Sequence, residues 1–124
     1  QSDSNISWEQ FQRLFNAAEY YIAHEVMEEL WIEAGRPRPS ILQALIQLCA
    51  ALEQERRGNP RGGRNLEVKA TKTWQAVQNI GSQPPLIGRA SHSAQTGSES
   101  LLSKALQTRQ LDDHSIKEFR KLLK

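Results

Sequence analysis

Apolar residues recur at intervals of three and four along most of this chain, and this spacing constrains its fold more than any other feature. One such stripe runs through the segment 20–34 and consists of Tyr20, Ala23, Met27, Leu30, Trp31 and Ala34. A stripe with this period is typical of an amphipathic helix that packs against a core. No segment shows the strict alternation of a half-buried strand. The sequence therefore predicts an all-α fold.

Glycines, prolines and capping residues divide the periodic segments into helices. We predict helices at about 7–17, 20–34, 40–57 and 60–79, then two shorter ones that start near Ser98 and after Asp112 or Asp113. Ser7 and Gln10 have the spacing of a capping box. Ser40 and Asn59 are predicted N-caps, with Pro60 at the first helical position after Asn59. The expected architecture is a compact bundle of four core helices, followed by a loop and C-terminal helices.

The chain length and one polar segment indicate how the bundle is organised. A chain of 124 residues is long enough to bury one core without disulfides. Residues 81–97 are rich in glycine, serine and proline and lack periodicity, which indicates a long loop. We therefore expect a core helical domain at 1–80, a loop at 81–97 and C-terminal helices at 98–124 that pack on or flank the same domain.

Charges are unevenly placed, although the net charge is only +2. Residues 1–34 carry seven acidic side chains and one basic one, whereas residues 35–75 carry eight basic side chains and three acidic ones. The two parts either complement each other across the fold or leave a basic surface for phosphate or nucleic acid. No aromatic residues are interleaved with the basic ones, so a nucleic-acid partner is not favoured.

Cysteine content and hydropathy limit the expected location. The single cysteine, Cys49, lies in the apolar run 41–52, where it is expected to act as a small buried hydrophobic residue rather than as a reactive thiol. A lone cysteine forms no intramolecular disulfide, which favours a reducing compartment. No apolar stretch reaches the roughly 20 residues that span a bilayer. We expect a soluble cytoplasmic protein without a membrane partner, or a plastid stromal one if a targeting segment has been removed.

The residues best suited to chemistry lie in the second helix. At 100° per residue, His24, Glu28 and Trp31 share one flank of its apolar stripe, and Glu25 lies farther toward solvent. His24 and Glu28 are four apart, so they can hydrogen-bond or share a proton or a metal ion. Neither a zinc H-E-x-x-H motif nor the repeated Glu-x-x-His of di-iron bundles is present. We therefore predict no cofactor, and His24 and Glu28 are only weak metal ligands.

Three blocks of the sequence resemble a known family. In order, residues 14–31, 42–47 and 58–62 are similar to the motifs F-N-x-G-x-Y-x-x-A-H-E-x-x-E-x-x-W, L-x-G-L-I-Q and G-N-x-x-G of DUF309, a small bacterial and plastid domain of unknown function. The resemblance covers about residues 8–80. It implies an all-helical fold that begins with a hairpin like that of tetratricopeptide repeats, and it implies no established activity. Ala18 and Ala44 stand where the family pattern has glycine.

Carried over position by position, the family motif defines a candidate functional cluster. Its members are Tyr20, His24, Glu25, Glu28, Trp31, Gln47 and Asn59, with Gly62 as a further motif residue. Two classes of function remain open. The first is a non-catalytic interaction module whose partner is another protein. The second is a small metal- or acid–base-dependent enzyme with His24 as base or ligand, Glu28 as its orienting residue or second ligand, and Glu25 in support. Because no complete catalytic constellation is present, the first is favoured; the sequence does not indicate an oligomeric state.

Overall fold

The structure, a computed structural model, describes residues 3–81 and 96–123, with side chains at 7–78 and 101–123. This part of the chain contains six α-helices and no strand, so the all-α prediction is confirmed. The helices are α1 (Asp3–Asn16), α2 (Tyr20–Glu33), α3 (Ile41–Arg56), α4 (Pro60–Gly81), α5 (Thr96–Thr108) and α6 (Asp113–Lys121). Consecutive helices from α1 to α4 pack against each other, and α5 packs on α4.

One hydrophobic core joins all six helices. It contains the apolar stripes of α2 and α3, three aromatic side chains of α1 (Trp8, Phe11 and Phe15) and apolar residues of α5 and α6. The ring of Trp74 from α4 meets the ring of Phe119 from α6 edge-on, with centroids 5.5 Å apart. The C-terminal helices therefore contribute to the same core as the first four.

The predicted N-caps Ser40 and Asn59 are confirmed, Asp112 is the N-cap among the two predicted alternatives for the last helix, and two other predicted helix starts are wrong. The side chains of Ser40, Asn59 and Asp112 each accept a hydrogen bond from a backbone N–H two or three residues along, at 3.0, 3.1 and 2.9 Å. In contrast, α1 begins before Ser7 and α5 begins before Ser98. A serine caps a helix only where its own backbone leaves the helical conformation, and the spacing of side chains alone does not establish where this happens.

Only the ends of the predicted loop at 81–97 can be compared with the structure. Gly81 is the last residue of α4, and Thr96 is the first residue of α5. Residues 82–95 lie outside the described residues.

The first three helices end in the same type of turn. The second residue after the helix end has a positive φ, which is 94° at Gly35, 88° at Gly58 and 64° at Ala18. In each turn the next backbone N–H donates to a carbonyl five residues back, at 2.8–2.9 Å. This pattern is a Schellman motif, in which glycine is the usual residue. Ala18 keeps the turn at a conformational cost of roughly 1–2 kcal/mol.

Polar side chains of α1 hold the segment between α5 and α6. Asn16 Nδ2 donates to the Leu111 carbonyl at 3.0 Å, and the Leu111 N–H donates to Asn16 Oδ1 at 2.6 Å. Gln12 Nε2 donates to the same carbonyl at 3.0 Å. We call Gln12, Asn16 and Leu111 the Asn16 clamp. It joins positions 95 residues apart in the sequence.

Among the described helices, none combines the length and the apolar composition needed to cross a membrane.

Candidate functional site

The residues of the predicted functional cluster do not lie together. They divide into two residues that line a pocket (Tyr20 and His24), two on the outward side of α2 (Glu25 and Glu28) and three that hold turns or helices together (Trp31, Gln47 and Asn59). The structure thus separates positions that the family motif groups in sequence.

His24 and Glu28 are in contact on α2. His24 Nε2 lies 3.5 Å from Glu28 Oε1, and the two side chains are 24% and 45% exposed. The other ring nitrogen, Nδ1, lies 3.0 Å from the Tyr21 carbonyl oxygen. Because a carbonyl can only accept, the contact with Tyr21 is a hydrogen bond in the ring tautomer that has its hydrogen on Nδ1. These partners lie on α2 itself, and such a partly exposed pair contributes at most about 1 kcal/mol.

A pocket of about 200 Å³ lies between α2 and α3. Its lining consists of Tyr20, Tyr21, His24, Cys49, Ala50, Glu53, Gln54 and Arg57. Tyr20, Cys49 and Glu53 are buried and form its floor, whereas Tyr21 and Arg57 at its edge are more than half exposed. The volume corresponds to about six or seven waters at roughly 30 Å³ each. Because drug-sized ligands need about 300 Å³ or more, this pocket fits a small molecule or a single side chain.

Glu53 is one of six pocket-lining residues that the predicted cluster does not contain, and it is the most unusual of them. It is only 7% exposed. Its Oε2 accepts a hydrogen bond from Arg57 Nε at 2.7 Å, and Arg56 Nη1 lies 3.7 Å from Oε1. Oε1 itself is buried and accepts no hydrogen bond. Since buried polar atoms in folded proteins nearly always have a partner, this oxygen is a candidate acceptor for a bound group.

The sequence does contain a signal for Glu53. Positions 49, 53 and 57 follow each other at one-turn intervals and therefore lie on the same side of α3. Cys49 lies in the apolar run and Arg57 is charged, so a carboxylate placed between them is expected at the edge of the core. The family pattern has no motif position at Glu53, so the predicted cluster does not include it.

Burial changes the acid–base properties of two pocket residues. Burial raises the pKa of the Tyr20 phenol, and the positive charge of Arg109 opposes this shift only in part. Burial also raises the pKa of the Cys49 thiol above its usual range. A thiol becomes a strong nucleophile only when it loses its proton. The structure therefore supports the interpretation of Cys49 as a buried hydrophobic residue.

Trp31 stabilises the connection between α2 and α3. Its indole Nε1 donates to the Pro37 carbonyl at 2.9 Å. The guanidinium carbon of Arg38 lies 6.0 Å from the centroid of the indole ring, which is within the range of a cation–π contact. The backbone N–H of Arg36 donates to the Trp31 carbonyl at 2.9 Å and completes the turn after α2. Trp31 thus organises a turn and does not line the pocket.

Gln47 and Asn59 organise the packing of α3 and α4. Gln47 Oε1 accepts a hydrogen bond from Thr73 Oγ1 at 2.7 Å. Asn59 caps α4, and its Nδ2 donates to Gln54 Oε1 at 2.9 Å. A Cβ at Gly62 would lie 2.6 Å from Asn59 Nδ2, so a larger residue here would displace the capping side chain. Because Gln54 lines the pocket, Asn59 acts on the pocket only by orienting Gln54.

Metal ligation is limited in the described part of the chain. Among the described side chains, at 7–78 and 101–123, no three of His, Cys, Asp or Glu are grouped so that they could hold a metal ion. Catalytic zinc sites use three protein ligands and structural ones use four. His24 and Glu28 therefore lack a third protein ligand in these residues.

The fold and the site together define a small all-helical domain with a partly open polar pocket between its second and third helices. A family model described as "Domain of unknown function (DUF309)" matches residues 8–66. The match confirms the resemblance, over a shorter range than the expected 8–80. Neither a curated protein nor a solved structure matches the chain. The tetratricopeptide-like hairpin and the plastid location stay predictions.

Proposed function

We propose that this domain is a non-catalytic interaction module that binds a basic, amphipathic segment of another protein on the outward side of α2. The main support is the exposure of large apolar side chains on this helix. Tyr21 is 52% exposed, and Ile22 and Ile32 are each 45% exposed. Single exposed apolar residues are common on protein surfaces, but a group of them on one element is typical of an interaction site.

The exposed apolar residues and the glutamates of α2 lie on one side of the helix. At 100° per residue, Tyr21, Glu25 and Ile32 fall within about 40° of each other. The remaining members flank them, and we define the α2 outward face as Tyr21, Ile22, Glu25, Glu28, Glu29, Ile32 and Glu33. Ile22 and Ile32 are separated by about 15 Å along the helix axis. A partner segment of about three helical turns would cover this distance.

The charge of the α2 outward face favours a basic partner. The helix contains four glutamates and no lysine or arginine. Within the described residues, no ion pair joins these glutamates to the basic side chains of α4, and Arg56 and Arg57 pair with Glu53 on their own helix. Apart from the His24–Glu28 contact, the described residues therefore do not neutralise the acidic surface by direct contact. A segment that alternates apolar side chains with Lys or Arg would complement it.

A designed peptide of defined charge tests the proposal. The probe is a fluorescein-labelled helical peptide of leucine and lysine, about 14 residues long so that it spans about 21 Å. Fluorescence anisotropy is expected to show saturable 1:1 binding that weakens as salt screens the charges. A matched peptide with glutamate in place of lysine is expected not to bind. Equal binding of both peptides would contradict the proposed charge recognition.

Variants of exposed residues locate the binding surface. The double variant Ile22→Ser/Ile32→Ser is expected to weaken binding of the lysine peptide at least about tenfold, because each buried methylene contributes about 0.8 kcal/mol. Val68→Ser on α4, where Val68 is 49% exposed, is the matched control and should bind normally. His24→Ala should also bind normally, since His24 has no direct role in a non-catalytic module. A loss confined to His24→Ala would favour the enzymatic alternative instead.

A second copy of the chain is a further occupant that the experiment must distinguish. The exposed positions of α4 include Val68 and four basic residues, Arg61, Arg64, Lys69 and Lys72. Their helical spacing places them on one side of α4, so α4 also has the chemistry expected of the partner. Sedimentation equilibrium of the protein alone is expected to show a monomer. If the protein self-associates, and if both Ile22→Ser/Ile32→Ser and Val68→Ser abolish the association, the partner of α2 is a second copy of the chain rather than another protein.

A further inference from the structure

The pocket between α2 and α3 has an unmet requirement for a hydrogen-bond donor. Glu53 Oε1 accepts no hydrogen bond although the Glu53 side chain is only 9% exposed. Leaving a buried acceptor without a partner is unfavourable, so a ligand that brings an N–H or O–H group to this oxygen gains that interaction. The first property of the ligand is therefore a donor directed at Glu53.

The charges around Glu53 indicate that this donor is uncharged. The carboxylate already has Arg57 Nε at 2.7 Å from Oε2 and Arg56 Nη1 at 3.7 Å from Oε1. A cationic ligand would approach both guanidinium groups, and an anionic ligand would approach the buried carboxylate. Both charged forms would also lose solvation in the pocket. A neutral ligand avoids these costs.

The pocket also provides donors for an acceptor on the ligand. Gln54 Oε1 already accepts from Asn59 Nδ2 at 2.9 Å, so the Nε2 of Gln54 is the end of this amide that remains a donor to the pocket. Arg57 uses its Nε on Glu53, and its two Nη groups are further donors at the exposed edge. A matching ligand therefore carries an acceptor beside its donor.

Pocket size and wall composition limit the remainder of the ligand. The rings of Tyr20 and Tyr21, the thiol of Cys49 and the methyl group of Ala50 supply apolar wall around the polar groups. The volume of about 200 Å³ leaves room for a short aliphatic chain in addition to one polar group. A primary amide carries an N–H donor and a carbonyl acceptor side by side and has no charge.

We infer that this pocket is a binding site for a primary amide on a short aliphatic chain. The amide belongs either to an Asn or Gln side chain of a protein or to a free carboxamide, and the chemistry of recognition is the same in both cases. The polar recognition in this inference depends on Glu53, Gln54 and Arg57 of α3 and its C-terminal end, and only Tyr21 is shared with the α2 outward face.

Three matched probes test the required charge. Butyramide, butyrate and butylammonium have nearly the same size and differ in charge and in hydrogen-bond groups. Each is titrated into the ¹⁵N-labelled full chain, and backbone amide shifts are followed by NMR. Butyramide is expected to shift resonances of the pocket-lining residues of α2 and α3, with a Kd at least about tenfold below those of the charged probes. A lower Kd for butyrate or for butylammonium, or no shift with any probe, would overturn the inference.

Two variants test the location of the site. Glu53→Gln keeps the side-chain shape but weakens the acceptor, and we expect the Kd of butyramide to rise about tenfold. Ala50→Leu fills the pocket without changing any polar group and should abolish the shifts, so it tests the site even if Glu53→Gln does not fold. Ala17→Leu, at an exposed position after α1, is the matched control and should bind normally. Unchanged binding by Ala50→Leu would overturn the inference.

A fourth probe distinguishes the two sources of the amide. N-acetylglutamine methylamide presents the side-chain amide of glutamine within a peptide backbone. If it binds more tightly than butyramide at the same resonances, the site recognises a side chain of a protein. If it binds more weakly there, the site takes a free carboxamide. Either result supports the amide pocket, whereas shifts of α4 resonances instead of pocket resonances would overturn it.

Discussion

Two regions of the molecule contain buried polar groups in opposite hydrogen-bonding states. At the Asn16 clamp, both the oxygen and the nitrogen of the Asn16 amide bond to the backbone of Leu111. In the pocket between α2 and α3, Glu53 Oε1 accepts no hydrogen bond. A satisfied polar group stabilises the fold in which it lies, whereas an unsatisfied one gains an interaction when a ligand donates to it. We therefore expect Asn16 to contribute to folding and Glu53 to contribute to binding.

The same separation applies within the family motif. Trp31, Gln47 and Asn59 resemble the Asn16 clamp, because each makes a hydrogen bond that fixes a turn or a helix contact. Tyr20 and His24 line the pocket. The motif therefore combines residues with structural roles and residues that border a candidate site.

The largest change in stability is expected when the hydrogen bonds of the Asn16 clamp are removed. Asn16→Ala removes two hydrogen bonds to Leu111 and leaves a partly buried backbone N–H without a partner, so the free energy of unfolding should fall by roughly 2–4 kcal/mol. Urea unfolding followed by circular dichroism measures this change. Asn65→Ala, at an exposed position of α4, should change stability by less than about 0.5 kcal/mol. A loss below about 1 kcal/mol for Asn16→Ala would mean that the clamp is not structural.

A smaller effect is expected at the turn that separates the two regions. Ala18 lies between Asn16 of the clamp and Tyr20 of the pocket and has a φ of 64°. Ala18→Gly removes strain of roughly 1–2 kcal/mol but increases the entropy of the unfolded chain, so we expect a net gain of about 0.5–1 kcal/mol. The exposed Ala17→Gly, at a position without positive φ, should instead reduce stability. Destabilisation by Ala18→Gly would show that this turn is not strained.

Glu53→Gln tests whether the buried carboxylate of the pocket contributes to stability. Its arginine partners are 57% and 59% exposed, so they remain solvated when the carboxylate becomes an amide. The free energy of unfolding should therefore change by no more than about 0.5 kcal/mol, the size of a surface ion pair. The same urea measurement compares it directly with Asn16→Ala. If the free energy of unfolding fell as much as in Asn16→Ala, Glu53 would be a structural residue and would not differ from the Asn16 clamp.

The smallest effect concerns the pH dependence of a second carboxyl group. Burial raises the pKa of Glu67 above its ordinary value of 4.5, and a hydrogen bond with Glu55 raises it further. The folded chain therefore binds this proton more tightly than the unfolded chain. The resulting stabilisation is fully present below pH 4.5 and is lost as the pH rises through the raised pKa.

Urea unfolding of Glu67→Gln across this pH range measures that contribution. The contribution of Glu67 to the parent's stability should decrease as the pH rises above 4.5, so the variant should show a smaller decrease. Glu9→Gln, at an exposed position of α1, is the matched control and should keep the parent's pH dependence. An identical pH profile for Glu67→Gln and the parent would contradict the raised pKa.

Local features were predictable from the sequence, and long-range contacts were not. The caps at Ser40, Asn59 and Asp112 depend on residues two or three positions away, so the pattern around each one predicts it. The partner of Asn16 lies 95 residues along the chain, and no local pattern indicates it. Ser7 shows the opposite error, because the local capping pattern predicts a start within a helix that begins earlier.

The candidate site was predictable only in part, for the same physical reason. His24 and Glu28 are four apart on one helix, so their contact follows from helical spacing. The pocket depends on how α2 packs on α3, which places Glu53 beside Tyr20 and His24. Glu53 is buried because α2 packs on α3 at this position. The spacing of residues in the sequence does not show this contact.

An NMR map of the lysine–leucine peptide complex tests most directly whether the outward face of α2 is the interaction surface. Backbone amide shifts of the ¹⁵N-labelled chain are recorded as the peptide is added. We predict that the shifts concentrate on α2, around Tyr21, Ile22 and Ile32, and that Leu111 of the Asn16 clamp stays unchanged. Shifts confined to α4 or to the clamp, or no shifts at all, would contradict the proposed interaction surface.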